Sequence, residues 1–492
     1  MKNSFAPINR IPPEVLSLIP DHYDEDDEDV VDQELVVLTH VCHSWRNIFT
    51  SRPSLWGWFN FKNIDKTRTY IQRSQSSPLR IYIGYETIVD EAFFLITPHI
   101  FRTKSLTIDA DALPSELKHF RRSTPLLEQL DINIADEHDP VLDGTLFNGD
   151  LSSLRELRLH GVITSLPWKN LANLQLVDLE YSFEEGRGVT RLLDFFESAP
   201  FLNTVTLRYP MLDSSDAPPK RIVPLLRLKT FTIEAAPPHS ILLNHLYIPI
   251  GALLILEFDS CGEESLLLGD PHERSSNFAN LSDITAINLL FDSYRKHTQL
   301  SGPSGSLRVL ARWGHWEVGL YTMDCQILRS LDEATLSAIQ RLSISEYEHP
   351  RPPEVGGCPV SQTLSFTSNL RTLTLTNCNN QPFILALDPS RTPSDLVLCP
   401  NMQELVLYNR SLDQLDIQRL IDMARNRASR GVKLSSIMIA GLEGLAPETE
   451  TLELREYVTH VEYRVGDEPP RWDHVPSGSC SGSEQVRDAG FR

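Results

Sequence analysis

No apolar run in this 492-residue sequence approaches the ~20 residues needed to cross a bilayer. Pieces such as Leu253-Leu-Ile-Leu256 and Leu266-Leu-Leu268 are core-sized. The N-terminal Met1-Lys-Asn-Ser-Phe-Ala-Pro7 has no apolar stretch of the kind that opens a secretory signal. Cysteine is sparse. Cys42, Cys261, Cys325, Cys358, Cys378, Cys399 and Cys480 are odd in number, scattered and without a CxxC pair. They suggest neither a disulfide framework nor a zinc site, and the expected compartment is reducing: cytoplasmic, nuclear or both. Basic residues are in deficit, 45 Lys and Arg against 66 Asp and Glu for a net charge of −21, with no Lys/Arg run. Binding nucleic acid requires a basic surface that displaces phosphate counterions, so neither nucleic acid nor membrane is an expected partner.

Catalytic signatures are missing too. There is no P-loop, GxGxxG, HExxH or Gly-x-Ser-x-Gly. Gly269-Asp-Pro-His272 lacks the companion ligands of a metal site and reads as a loop, and Gly302-Pro-Ser-Gly-Ser306 lacks the strand and helix of a nucleophile elbow. Arg312-Trp-Gly-His-Trp316 is an aromatic cluster suited to packing. The expectation is a chain with no catalytic residues, metal or cofactor, which is not itself an enzyme.

What is present is ordinary globular composition, 41% hydrophobic and 23% charged, long enough for about two to four domains. The stretch from Ile8 to Phe61 is dense in apolar residues yet too short to bury them alone. Pro12 and Pro13 suit a first helical turn, where the missing N–H has no intrahelical partner. Val15, Leu18 and Ile19 then follow at helical spacing, with Leu16 widening the stripe, and Pro20 stops it. The run Asp24–Asp29 repels itself and reads as a solvated loop. Leu35, Leu38, Cys42, Trp45 and Phe49 form a second stripe, flanked by Val37, Val41 and Ile48 and wide enough for burial on two sides. Pro53 ends it, and Leu55 and Trp56 fold back as a plug, with Trp56 and Trp58 packing on the first strand of the body.

Beyond Phe61, Leu79-Arg-Ile-Tyr-Ile-Gly84 alternates as a strand. A pattern of the form L-x-x-L-x-L then recurs from Leu127, Leu154, Leu174, Leu202, Leu228 and, less cleanly, Leu253. It continues from Ile284, Ile339, Leu370, Met402 and Leu434, at an irregular spacing of roughly 20 to 32 residues apart from the longer interval between Ile284 and Ile339. Such a unit offers a short strand that cannot bury its face alone, so stacking supplies the core. Arg191–Ala199 and Leu412–Ala424 read as helical return segments, and Ser123-Thr-Pro125 and Ser198-Ala-Pro200 as a recurring hinge before a strand. Ala235–Ile250 and Ser345–Thr363 read as insertions on one rim.

Ile11-Pro-Pro-Glu-Val-Leu16, Val41-Cys-His-Ser-Trp-Arg46 and Arg52-Pro-Ser-Leu-Trp56, in this order, closely resemble an F-box of the fungal type. Ile11 stands where the family usually has Leu, and the acidic run lengthens the first connection. The body resembles the leucine-rich-repeat half of F-box proteins, with Asn377-Cys378 keeping the Asn/Cys position that most of these repeats lack. The resemblance implies an α/β chain: a short N-terminal helical F-box over 1–61 with an acidic insert at 21–29, then a linker and first strand over 62–100. An irregular leucine-rich-repeat solenoid with a parallel sheet follows over 101–465, and the apolar-poor 466–492 are expected to be a disordered tail. It further implies a substrate-receptor subunit of a Skp–cullin–F-box ubiquitin ligase, binding a Skp-family adaptor, through it a cullin, and an unidentified protein substrate. The alternative keeps the F-box and the repeats as a non-degradative interaction scaffold. Ile11, Pro12, Val15, Leu16, Ile19, Val41, Trp45, Leu55 and Trp56 match family positions that form the domain core or meet the adaptor, with Trp56 expected at the interface and Trp45 in the core.

Overall fold

The computed structural model describes residues 11–19, 35–85, 89–111, 117, 120–135, 141–142, 146–149, 151–164, 171–180, 188–209, 221–234, 240–258, 277–291, 295–303, 306–312, 331, 333–346, 364–391, 397–408, 414–440 and 448–464. The acidic insert, Gly269–His272, residues 313–316 of the aromatic cluster, most of Ser345–Thr363 and the tail 466–492 lie outside them. The chain is mixed α/β with extensive, mostly parallel sheet. It divides into two compact units, Met1–Ser282 with Ser304–Leu310, and Asp283–Pro303 with Ala311–Arg492.

In the first unit the strands are β1 (Trp58–Asn60), β2 (Leu79–Ile83), β3 (Thr103–Ala110), β4 (Gln129–Ile134), β5 (Glu156–His160), β6 (Leu176–Glu180), β7 (Thr204–Arg208), β8 (Thr230–Glu234) and β9 (Leu253–Phe258). Each pairs with the next in chain order, always parallel. The sequence repeat explains the register. Leu106, Leu130, Leu157, Val177, Val205, Phe231 and Leu254 form one inward column, and Ile108, Ile132, Leu159, Leu179, Leu207, Ile233 and Leu256 a second. All of them are buried. The expected phase from Leu253 is therefore corrected by two residues: that unit runs Gly251, Leu254, Leu256, a glycine standing in its first apolar position. Thr103-x-x-Leu106-x-Ile108 is a further unit, hidden in the sequence because its first position is a buried threonine.

The residue opening each motif sits in a turn. Leu127, Leu154, Leu174, Leu202 and Leu228 donate their backbone N–H to the carbonyl three residues earlier, at 3.0–3.3 Å. Pro125 and Pro200 occupy the second position of this turn, where their fixed φ fits. That is the physical content of the recurring hinge. Return segments add an aromatic spine, with Phe93, Phe120 and Phe147 at successive centroid separations of 5.0 and 6.1 Å. After β5 the chain turns at Gly161, φ +64°, where an added Cβ would lie 1.9 Å from the Ile134 carbonyl oxygen. Only glycine fits there.

The second unit repeats the scheme with β10 (Ala286–Phe291), β11 (Arg295–Ser301), β12 (Arg341–Glu346), β13 (Thr372–Thr376), β14 (Glu404–Tyr408), β15 (Ser436–Ala440) and β16 (His460–Arg464). Strands β10 and β12 to β16 pair parallel in chain order, while β11 folds back antiparallel on β10. This hairpin lies within the long interval between the Ile284 and Ile339 motifs, where the repeat is interrupted. A last unit beginning at Val458 supplies β16. Cys378 Sγ donates to the Ile344 carbonyl at 3.3 Å, so the Asn/Cys position ties a turn to the preceding strand.

Two buried arginines act as carbonyl clamps. Arg102 donates from Nη1 to Ser74 Oγ at 3.1 Å and the Ser77 carbonyl at 2.7 Å, just beyond the helix Ile64–Ser74, where a helix dipole favours positive charge. Arg427, fully buried in the helix Gln414–Ser429, donates to the carbonyls of Leu387, Leu398 and Cys399 at 3.4, 3.0 and 2.8 Å. Burial lowers the pKa of both, and the carbonyl oxygens replace the water each has lost. The same burial pushes the Cys399 thiol up to about 11, which keeps it protonated and unreactive at neutral pH. Arg427→Met leaves carbonyls without donors in an apolar site, so a loss of about 3 kcal/mol is expected. Equilibrium urea denaturation of the variant against wild type measures it.

Candidate docking surface on the N-terminal helices

The head is built from α1 (Pro13–Leu16), a helical stretch over 35–40, α2 (His43–Thr50), a 3-10 turn (Pro53–Trp56) and α3 (Ile64–Ser74). The second apolar segment is not one continuous helix. Cys42 is extended (φ −161°, ψ 172°) and caps α2, its Sγ accepting from Trp45 N–H at 3.5 Å. Arg46 Nε donates across the break to the Thr39 carbonyl at 3.0 Å. The break decides which apolar residues face inward.

Leu16, Leu38, Trp45 and Phe49 form the buried core, with Ile11, Ile19, Cys42, Ile48 and Leu55 packed against it. Of the nine family-matched residues, Ile11, Leu16, Ile19, Trp45 and Leu55 therefore belong to the core or its edge. Pro12 is exposed, and Val15 and Val41 are 52% and 55% exposed. Trp56, expected at an interface, is completely buried. Its Nε1–H donates to the Phe49 carbonyl at 3.0 Å, its ring meets Tyr70 edge-on at 4.9 Å, and the Arg73 guanidinium lies 4.4 Å from its centroid. It locks α2 onto α3 and has no face left for a partner. Trp58, expected to pack on the first strand of the body, is the first residue of β1 and pairs with Arg80 of the strand Leu79–Ile83. Arg52 Nη1 donates to the Ser17 carbonyl and ties α1 to the end of α2.

The outward side carries residues that the motif did not single out. Leu18 and Val37 are 47% and 63% exposed, so four branched aliphatic side chains lie on the surface of a module whose core is already filled. Four exposed aliphatics on so small a module make it the candidate surface for contact with another protein. Their helical spacing was visible in the sequence. The outward orientation of Val37 and Val41 goes with the break at Cys42.

A second polar surface lies on the outer sheet face of the same unit. Asp131, Arg158 and Asp178 occupy one register row across β4, β5 and β6, alternating in sign. Arg208 grips Asp178 with two bonds of 3.2 Å, and Arg158 lies 3.7 Å from Asp131 and 3.3 Å from Glu156. His160 Nε2 is 3.4 Å from Asp178 Oδ1, an ion-pair separation without hydrogen-bond alignment. Burial raises the pKa of Asp131, and Arg158 and His160 only partly oppose it. Burial disfavours charge on His160 as well, yet contact with Asp178 and the nearby Glu180 outweigh it and raise its pKa. At Asp178 burial is overcome by His160 and Arg208, and the pKa falls. These charges pair across neighbouring strands, an arrangement that stabilises a sheet face. No group of three potential metal ligands occurs among the described residues, and no helix among them is long and apolar enough to cross a membrane.

The sign of the histidine contribution follows from linkage. A raised folded-state pKa makes the protonated pair stabilising below the unfolded value of roughly 6.5, and this is lost as pH rises through the folded value. Wild-type stability should thus fall as pH rises through that window, and His160→Gln should flatten the fall. Urea midpoints of the two proteins across the window measure the difference. No protein-family model matches the chain, and no curated protein was found to match it.

Proposed function

We propose that the chain is the substrate-receptor subunit of a Skp–cullin–F-box ubiquitin ligase, an irregular leucine-rich-repeat solenoid headed by an F-box. The observation that carries this proposal is the exposed aliphatic set Val15, Leu18, Val37 and Val41 on a helical head with a complete core of its own. Those side chains meet a Skp-family adaptor. The parallel ladders, built from one repeated motif, hold the target. The subunit makes no bond itself and acts by proximity, raising the effective concentration of a target lysine near the ubiquitin-carrying enzyme.

Burial sorts the test variants. Val15→Asp with Val41→Asp places charge on the exposed face and should weaken adaptor binding by about a hundredfold, near 3 kcal/mol, with the melting temperature unchanged. Trp56→Ala should instead cost about 3–5 kcal/mol of stability. Binding to purified adaptor by calorimetry, alongside thermal melts, separates the two effects. A wild-type chain that does not bind the adaptor would rule the proposal out. Head-dependent turnover of a captured target distinguishes the ligase from a non-degradative scaffold.

A further inference from the structure

The second unit holds an open, polar cavity of about 520 Å³ on its surface. It opens where the chain enters β13, β14 and β15, and its lining includes Gln340, Arg371, Asn401, Gln403, Lys433 and Ser435. In a chain of net charge −21, this cavity has two cations and no carboxylate in its lining.

Backbone geometry fixes these side chains relative to one another. Arg371 N–H donates to the Gln340 carbonyl, Gln403 N–H to the Arg371 carbonyl and Ser435 N–H to the Gln403 carbonyl, each at 2.8 Å. Gln340, Arg371, Gln403 and Ser435 therefore occupy equivalent places on neighbouring chain segments. With about 4.8 Å between strands, Arg371 and Ser435 are roughly 10 Å apart at their backbones, and Lys433 precedes Ser435 by two residues. The long stems of Arg and Lys span such a gap from both sides. The amide of Gln403 and the hydroxyl of Ser435 stand beside them as neutral donors.

The corresponding column of the first unit is mixed: Gln175 N–H donates to the Arg155 carbonyl at 2.8 Å, so a cation is followed by a glutamine there too, whereas Lys104 is paired. The Lys104 carbonyl accepts from Glu128 N–H in the same relay, and Lys104 Nζ is 3.5 Å from Glu128 Oε2. A carboxylate on the next strand neutralises the cation. In the second unit the residue after Arg371 in the column is Gln403, and neither Arg371 nor Lys433 forms an ion pair among the described residues. The asparagine contacts in the cavity, Asn401 Nδ2 to Asn369 Oδ1 at 2.9 Å and Asn369 Nδ2 to the Ser337 carbonyl at 2.7 Å, tie one turn to the next and leave the cations unused.

We infer that this cavity binds a phosphoryl dianion, free or carried on a side chain, between Arg371 and Lys433. Arg371 supplies the planar fork that matches phosphate oxygens, and Lys433 supplies a compact second charge. The inference stands on these residues alone and does not require the adaptor-docking proposal.

The test uses the full chain and calorimetric titration with inorganic phosphate, with a phosphoserine peptide and with the same peptide unphosphorylated. Wild type should show saturable binding of inorganic phosphate, and Arg371→Gln with Lys433→Gln should weaken it at least tenfold. Both side chains are exposed, so the melting temperature of the unliganded variant should not change. Arg455→Gln, exposed on the helix Glu448–Tyr457, removes a charge outside the lining and should leave binding intact. Tighter binding of the phosphopeptide than of inorganic phosphate supports the site and assigns the group to a polypeptide; equal binding supports it as a site for the free anion. No saturation by about 10 mM phosphate in wild type, an unweakened double variant, or an equal loss in Arg455→Gln would overturn the inference.

Discussion

Nearly everything in this chain depends on strands that cannot bury their own apolar face. Most strands present two or three inward side chains, and parallel neighbours in register close them off, as in the run Leu130, Leu157, Val177, Val205. The same stacking sets the backbone relay, in which the residue before one strand accepts from the residue before the next. A slip of one residue would turn the inward columns to solvent, so register and burial are one constraint. The turn three residues ahead of most motifs fixes where the strand starts and so protects that register.

Close stacking creates a polar problem where return segments meet the ladders, because loop carbonyls there lose access to water. Arg102 and Arg427 answer it with guanidinium groups bonded to carbonyl and hydroxyl oxygens. On the outer face the problem is charge crowding, since parallel strands bring residues of one register row about 4.8 Å apart. The alternation of Asp131, Arg158 and Asp178, continued by Arg208, turns that crowding into mutual pairing. The strand entrances of the second unit lack such compensation around Arg371 and Lys433.

In the head, the decisive feature is the interruption at Cys42. Because the chain is extended there, Trp45 and Phe49 complete a core with Leu16 and Leu38, and Val37 and Val41 are left facing water. Trp56 then closes the module from below, held by Phe49, Tyr70 and Arg73. A small domain of this kind is stabilised by its attachment to the first strands as much as by its own core.

The sequence by itself determined the strands and their inward faces, because a period of two within L-x-x-L-x-L marks the buried side wherever the residues are unambiguously apolar. It misplaced the unit near Leu253, where four consecutive apolar residues give no phase, and it missed the Thr103 unit, whose first position is polar. It also named nine residues of the head, read from the F-box-like pattern, but not Leu18 or Val37. Only the tertiary structure decided which of them face outward. Burial of Trp56 depends on Tyr70 and Arg73 from a later helix, and the pairing of His160 with Asp178 and Arg208 joins side chains from three strands. Periodicity reports how a residue is placed on its own segment; exposure and charge state are set by whatever the fold brings against it.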